Sequence, residues 1–302
     1  MENILYSKFC EVAGKDCVKQ SEPMCQHTTF RVGGNADYFI TPNNAEGIKG
    51  TIEVCKKHNI PYYICGNGSN LLVSDEGFRG VIIQIFHNLN QYEIQNGKII
   101  VQAGMMLTKV AKMISEAGYT GMEFAIGIPG TIGGAVAMNA GAYGGEIKDV
   151  ITKATVLNKE GQILTLSKEE LKLGYRTSII TQKDYIVLEA EFELQQGNLE
   201  EIKALCEKNS KARIEKQPLE FPSAGSTFKR PEGYFAGKLI MDAGLRGYAI
   251  GGAQVSEKHC GFIINKGNAT AKDVLDLIRY VQNKVMEEHH VMLETEEKML
   301  GF

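Results

Sequence analysis

Between Phe124 and Gly145 the chain runs for 22 residues without a charged side chain, and seven of these residues are glycine. A helix of about 20 apolar residues would cross a bilayer, so the length alone permits a membrane span. The composition forbids it. Pro129 removes a helical hydrogen bond, and each glycine weakens a helix by about 1 kcal/mol. The segment must form tight loops instead. Glycine makes up 33 of the 302 residues, follows no three-residue period and is accompanied by only 7 prolines. Collagen and low-complexity disorder are therefore excluded.

Lys and Arg total 33 against 36 Asp and Glu, a net charge of −3. That balance gives no global basic field for nucleic acid. Residues 1–20 carry scattered charges and no apolar core of signal-peptide length. The seven cysteines (Cys10, Cys17, Cys25, Cys55, Cys65, Cys206 and Cys260) include no Cys-x-x-Cys pair. Reduced thiols in the cytoplasm are expected, with no metal site. The six histidines have no ligand spacing either, and His259 reads as structural.

Periodicity predicts mixed elements. Residues 1–20 read as a weakly amphipathic helix with Leu5, Phe9 and Val12 on one face. Residues 45–58 read as a second helix, followed by a strand at Tyr62–Cys65. Leu107, Val110, Ala111 and Ile114 define a helix that Gly118 would end. Ala154–Asn158 and Gln162–Leu166 flank a hairpin turn, and Tyr185–Leu194 alternates as a strand. Thr270 and Asp273 form a capping-box pattern ahead of Val274, Leu277, Ile278, Val281 and Val285. No long βαβ series occurs, so the expected class is α+β. The expected divisions are an N-terminal helical arm at 1–21, a cofactor domain at 22–196 and a substrate domain at 197–302.

Two glycine clusters stand out: Gly66-Asn67-Gly68-Ser69-Asn70, directly after a strand, and Gly127-Ile128-Pro129-Gly130-Thr131-Ile132-Gly133-Gly134-Ala135. Glycine lets backbone approach a ligand closely, and successive N–H groups in such loops form anion-binding nests. Two nests suit a diphosphate, whereas either loop alone reads equally as a tight turn. Neither is a Walker A loop, because Gly-Lys-Ser/Thr is missing. Neither is a Rossmann fingerprint, because the spacing is wrong and no acidic residue follows about twenty positions later.

Taken with Thr28–Gly34 ahead of them, these loops resemble the flavin-binding half of the family that includes vanillyl-alcohol oxidase and p-cresol methylhydroxylase. More narrowly, the chain resembles the UDP-N-acetylenolpyruvoylglucosamine reductases over its whole length. Gly174-Tyr175-Arg176-Thr177-Ser178 and Ala224-Gly225-Ser226-Thr227-Phe228 are the specific motifs. Ser178 lies within seven residues of the strand starting at Tyr185, which matches the shorter subtype without an inserted tyrosine loop.

The resemblance implies a two-subdomain FAD-binding region of the p-cresol methylhydroxylase type, followed by an α+β substrate domain. It implies non-covalent FAD held by Arg31, Gly66, Asn67, Gly68, Ser69, Asn70, Gly127, Pro129, Gly130, Thr131, Gly133, Gly134 and Ala135. It also implies NADPH as co-substrate and a UDP-sugar whose enolpyruvyl ether is reduced in peptidoglycan precursor synthesis. No obligate protein partner is expected.

An enol ether is electron-rich, so hydride addition requires electron withdrawal through its carboxylate and a proton donor at the adjacent carbon. Arg176 matches the family's carboxylate-polarising arginine, since a guanidinium grips a carboxylate bidentately. Ser226 matches its proton donor. Glu296 matches the glutamate that joins the arginine, with Glu294 a competing candidate two residues away. The family usually has Val-Arg after that glutamate, and here Glu297-Lys298 follow. Arg213, Lys216, Lys229, Arg230 and Lys238 are cations for the UDP diphosphate, and Tyr175 is a candidate for contact with sugar or nicotinamide. Two rival readings remain: an alcohol-oxidising flavoenzyme of the same fold, and a nucleotide-sugar-binding protein without catalysis.

Overall fold

A computed structural model describes residues 2–302; Met1, the first residue of the expected N-terminal arm, lies outside them. Two compact units share the chain. The first comprises Met1–Gln20, Tyr38–Asn67 and Gly80–Arg213; the second comprises Ser21–Asp37, Gly68–Arg79 and Ile214–Phe302. This division by compactness is a different cut from one made along the sequence at 21/22 and 196/197. Two N-terminal excursions, 21–37 and 68–79, belong with the C-terminal residues.

In the first unit α1 (Glu2–Ala13) buries Phe9 and Ala13. The helix expected to reach residue 20 stops early. Gly14 adopts φ 94°, Lys15–Cys17 forms a 3-10 turn and a strand begins at Val18. A positive φ at glycine ends a helix at little steric cost. Next comes α2 (Ala45–Lys57), capped by Asn44, whose side chain accepts from the Gly47 amide. Leu107, Val110, Ala111 and Ile114 are all buried on α3 (Leu107–Glu116), as their spacing requires. Short helices α4 (Ile132–Ala137), α5 (Ile147–Val150) and α6 (Ile179–Lys183) precede the long α7 (Leu199–Lys216).

A five-stranded antiparallel sheet forms the first unit's frame, in the order Ile163–Ser167, Ile151–Leu157, Ile186–Glu193, Lys98–Gln102 and Tyr92–Gln95. The predicted hairpin is its first pair, with Leu157 opposite Ile163. Tyr62–Cys65 pairs in parallel with the strand Phe78–Gln84, placing Gly66 at the strand's C-terminal end. The α4 helix packs on Ile186–Glu193. The uncharged segment Phe124–Gly145 thus falls in a 3-10 turn at Glu123–Ala125, the α4 helix and a small hairpin, Gly141–Ala142 with Gly145–Glu146. No helix among the described residues is long and apolar enough to cross a membrane.

The second unit is built around α9 (Ala271–His289), preceded by the short α8 (Ala236–Asp242). Val274, Leu277, Ile278, Val281 and Val285 are buried against a three-stranded sheet of Ala249–Ile250, Ala253–Val255 and Ile263–Asn265. The predicted capping box is present, and Asp75 adds a second carboxylate at the same helix end by accepting from the Ala271 and Lys272 amides at 2.8 and 2.9 Å. Both acids offset the positive end of the helix dipole. The terminal strand Lys298–Leu300 runs parallel to Leu71–Val73, in register from Lys298 opposite Leu71. Largely antiparallel pairing, with two short parallel pairs and no βαβ series, is α+β, as the sequence predicts.

Candidate active site

In the first unit Gly66, at the start of the first glycine loop, meets Thr131 of the second. A Cβ on Gly66 would lie 2.4 Å from Thr131 Oγ1, so only glycine fits there. Thr131 caps α4 by accepting from the Gly134 amide, and Gln84 donates to the Gly66 carbonyl at 3.0 Å. The amides of Ile132 and Gly133 donate to Met105 and Ala103 carbonyls at 2.8 Å. Gly134 is different: a Cβ there would meet only Thr131 Oγ1 at 3.8 Å, with open space beyond. The protein's own packing does not require glycine at 134, whereas a ligand lying close to the backbone would. Gly127, Pro129 and Gly134 are the exposed points of this run, while Ala135 is buried.

Cys65, just before the first loop, is buried, which pushes its thiol up to about 12. The nearest upstream histidine, His58, ends α2 and meets Lys8 Nζ at 2.8 Å. Neither is set up as a nucleophile for covalent flavin attachment.

Arg176 stands at the tip of a two-residue turn closed by Gly174 N–H to Thr177 O at 3.0 Å and the reciprocal bond at 3.3 Å. Its φ is 54°, in the left-handed region. That conformation is costly for a non-glycine residue and persists only where the surroundings enforce it. Asn139 provides the enforcement. Fully buried, it donates from Nδ2 to the Gly174 carbonyl at 3.1 Å and to Glu146 at 2.5 Å, and it accepts from the Lys148 amide at 2.9 Å. Ser178 adds a bond to the Ala137 carbonyl at 2.7 Å. The guanidinium reaches the Gly141 carbonyl at 3.5 Å and lies 5.1 Å from the Tyr175 ring centroid. The Gly141–Gly145 hairpin, unexplained by sequence, is thus the platform beneath the arginine. Gly141 and Gly145 are needed there, because a Cβ at either would strike Glu146 or Phe124 at 2.7 Å.

Arg213, expected among the substrate cations, lies elsewhere in the first unit. It is buried under Gly127, with its guanidinium 5.6 Å from the Tyr143 ring centroid. Burial pushes its pKa down, and Tyr143 acts in the opposite direction. The α7 helix is anchored there by Asn209, which donates to the Glu123 carbonyl at 3.0 Å.

In the second unit Ser226 and Glu296 are carried by adjacent extended segments. Glu296 N–H donates to the Thr227 carbonyl at 2.9 Å, Lys229 N–H donates to the Glu294 carbonyl at 2.8 Å, and Phe228 pairs with Thr295 between them. Gly225, at φ 84°, turns the chain into this pairing. Ser226 is exposed and Thr227 is buried. Asn70, the last residue of the first glycine loop, donates to the Glu296 carbonyl at 3.1 Å and accepts from the Lys298 amide at 3.0 Å. Gly68 lies against the His27 carbonyl, where a Cβ would come to 2.0 Å. Arg31, exposed at φ 57°, also belongs to this unit.

The two competing glutamates differ. Glu294 is exposed and paired with Lys229 at 3.0 Å, whereas Glu296 is half-buried. Glu297 is buried and was not singled out by sequence; the i, i+2, i+4 alternation from the buried Leu293 was its available signal. Arg230 stacks 4.0 Å from the Phe235 ring centroid and donates to the Tyr234 carbonyl. Lys238 is paired with Asp242, and Lys216 is exposed at the end of α7. The His259 ring accepts from Gly261 N–H at 3.1 Å and packs edge-on to Phe262, a structural role.

Residues 36–167 match the FAD binding domain family, and residues 217–300 match the family described as UDP-N-acetylenolpyruvoylglucosamine reductase, C-terminal domain. A glucose dehydrogenase, Phl p 4.0202, shares the fold at TM-score 0.50 and 13% identity, covering 65% of this chain and 44% of its own. The fold and the first domain define an FAD-binding flavoprotein.

The relatives narrow the class. The UDP-N-acetylenolpyruvoylglucosamine reductase of Lachnoclostridium phytofermentans is 53% identical over 305 residues, covering 100% of this chain and 98% of its own. That of Clostridioides difficile is 51% identical over 297 residues, covering 98% of each. The crystal structure of the Thermus caldophilus reductase superposes at TM-score 0.81 with 36% identity, covering 94% of this chain and 98% of that one. The chain belongs to the UDP-N-acetylenolpyruvoylglucosamine reductase family.

Proposed function

We propose that the chain uses NADPH to reduce the enolpyruvyl ether of a UDP-N-acetylglucosamine derivative to a lactyl ether, in the cytoplasm, as a step of peptidoglycan precursor synthesis. Bound FAD supplies hydride transfer between NADPH and the double bond. The residues that would hold it without a covalent link are Arg31, Gly66–Asn70, Gly127, Pro129, Gly130, Thr131 and Gly133–Ala135. The open space at Gly134 supports that assignment. We assign cofactor work to residues 22–196 and substrate work to 197–302, with 1–21 as an arm.

Arg176 holds the substrate carboxylate and withdraws electron density from the double bond. Its planar guanidinium matches a carboxylate bidentately, and the turn fixes its backbone before substrate arrives. Glu296 hydrogen-bonds at the same carboxylate. Ser226 delivers the proton to the carbon next to the carboxylate. A serine is a weak acid, and a strongly basic carbon centre is the partner that it can protonate. Tyr175, Lys216, Arg230 and Lys238 bind the UDP-sugar. Lys238 and Asp242 form a surface pair worth little in water, so the lysine can exchange its carboxylate for a phosphate.

The observation that carries this reading is the backbone pairing of 227–229 with 294–296, which ties the proton donor and the glutamate to one another. Ser226→Ala tests it in two half-reactions measured anaerobically. The variant is expected to keep flavin reduction by NADPH and to lose flavin reoxidation by the enolpyruvyl UDP-sugar. Retained reoxidation would remove Ser226 from the chemistry.

A further inference from the structure

Glu297 is 3% exposed, and its carboxylate oxygens, though near the Thr227 hydroxyl, make no well-formed hydrogen bond among the described residues. An isolated charge in such a place is costly, and a carboxyl avoids the cost by remaining protonated. What surrounds it is the support of the proposed proton donor. Thr227, next to Ser226, is fully buried and bonded on three sides. Its N–H donates to the Gly261 carbonyl at 2.9 Å, its carbonyl accepts from Glu296 N–H at 2.9 Å, and its hydroxyl accepts from Ile263 N–H at 3.1 Å.

We propose that Glu297 is a positioning residue for the Ser226–Glu296 pairing: as a neutral acid it packs behind the paired segments, and as a carboxylate it loosens them. The inference rests on the reading of Ser226 and Glu296 as reacting groups. Side chains alternate along an extended segment, so Glu297 lies on the opposite face from Glu296 and acts through the backbone that they share.

The groups that face it set the direction of its titration. Burial dominates and raises its pKa from the ordinary 4.5 to about 8. The Thr227 hydroxyl favours the charged form, and the neighbouring Glu296 opposes it. Of the nearby cations, Lys229 is paired with Glu294 and Lys298 is exposed. On the segment bonded to Thr227, burial lowers the pKa of His259, which favours its neutral form. Because the folded-state pKa lies above the unfolded one, the stabilisation from Glu297 is complete below 4.5 and is lost as pH rises to about 8.

The test uses the FAD-loaded protein as wild type, Glu297→Gln and Glu297→Leu, the latter in case the amide is poorly accommodated. Two quantities are followed from pH 5 to 9: the melting temperature, and the rate of flavin reoxidation by the enolpyruvyl UDP-sugar. In the wild type both are expected to fall with rising pH, the rate with a midpoint at about 8. In either variant both declines flatten. Parallel profiles in wild type and variants overturn the proposal. A flattened melting profile with an unchanged rate profile also overturns it, since Glu297 would then be a buried acid without influence on the pairing. If no form is reoxidised at any pH, the functional reading fails, while the melting profiles still decide whether Glu297 titrates as described.

Discussion

Arg176 and Ser226, the two residues given the most demanding chemistry, are held by different means. The arginine sits in a left-handed turn that side chains keep in place: Asn139 bonds the Gly174 carbonyl, and Ser178 bonds the Ala137 carbonyl. The serine sits beside an extended pairing made by backbone groups, Thr227 with Glu296 and Lys229 with Glu294. A backbone pairing survives most substitutions along it, because every residue except proline carries the same donor and acceptor. The arginine's turn has one short backbone pairing of its own, Gly174 with Thr177, and its seat on the unit depends on the Asn139 and Ser178 side chains. The arginine's geometry is therefore the more fragile of the two.

Asn139→Ala should break that contrast most severely. It leaves the Lys148 amide without its partner and the Gly174 carbonyl with only its 3.3 Å bond from Thr177 N–H, at a stability cost of about 1–3 kcal/mol by denaturant unfolding. Displacing Arg176 by a fraction of an ångström should also lower kcat by roughly ten- to a hundredfold. A variant with wild-type kcat would show that the turn holds itself. Glu294→Gln sharpens the contrast from the other side. It removes an exposed ion pair and keeps every backbone bond between the two segments, so steady-state turnover should change by less than about twofold. A large loss would move the proposed glutamate role from Glu296 to Glu294.

Much of this molecule was legible in its sequence because the signals were local. The apolar spacing on α3 and α9, the Thr270–Asp273 capping box and the hairpin after Leu157 depend on residues a few positions apart. The glycine loops were legible for a related reason, since a backbone that must pass close to Thr131 or to a ligand admits only glycine. What stayed hidden depends on long separations. Nothing local links Asn139 to Gly174, or Asn70 to Glu296, 226 positions away. The grouping of 21–37 and 68–79 with the C-terminal residues is of the same kind. The burial of Arg213 beneath Gly127 was not legible, because a cation near the end of a charged helix reads equally as solvated or as a phosphate ligand. Glu297 was overlooked because a glutamate between Glu296 and Lys298 reads as part of a solvated run.

The central claim is that NADPH electrons reach an enolpyruvyl UDP-sugar through the bound flavin. The most direct measurement reduces the wild-type holoprotein anaerobically with one equivalent of NADPH and then adds that sugar while the flavin absorbance is followed. The account predicts bleaching on the first addition and full recovery on the second, with the lactyl ether as product. Flavin that bleaches and recovers only when oxygen is admitted would contradict it.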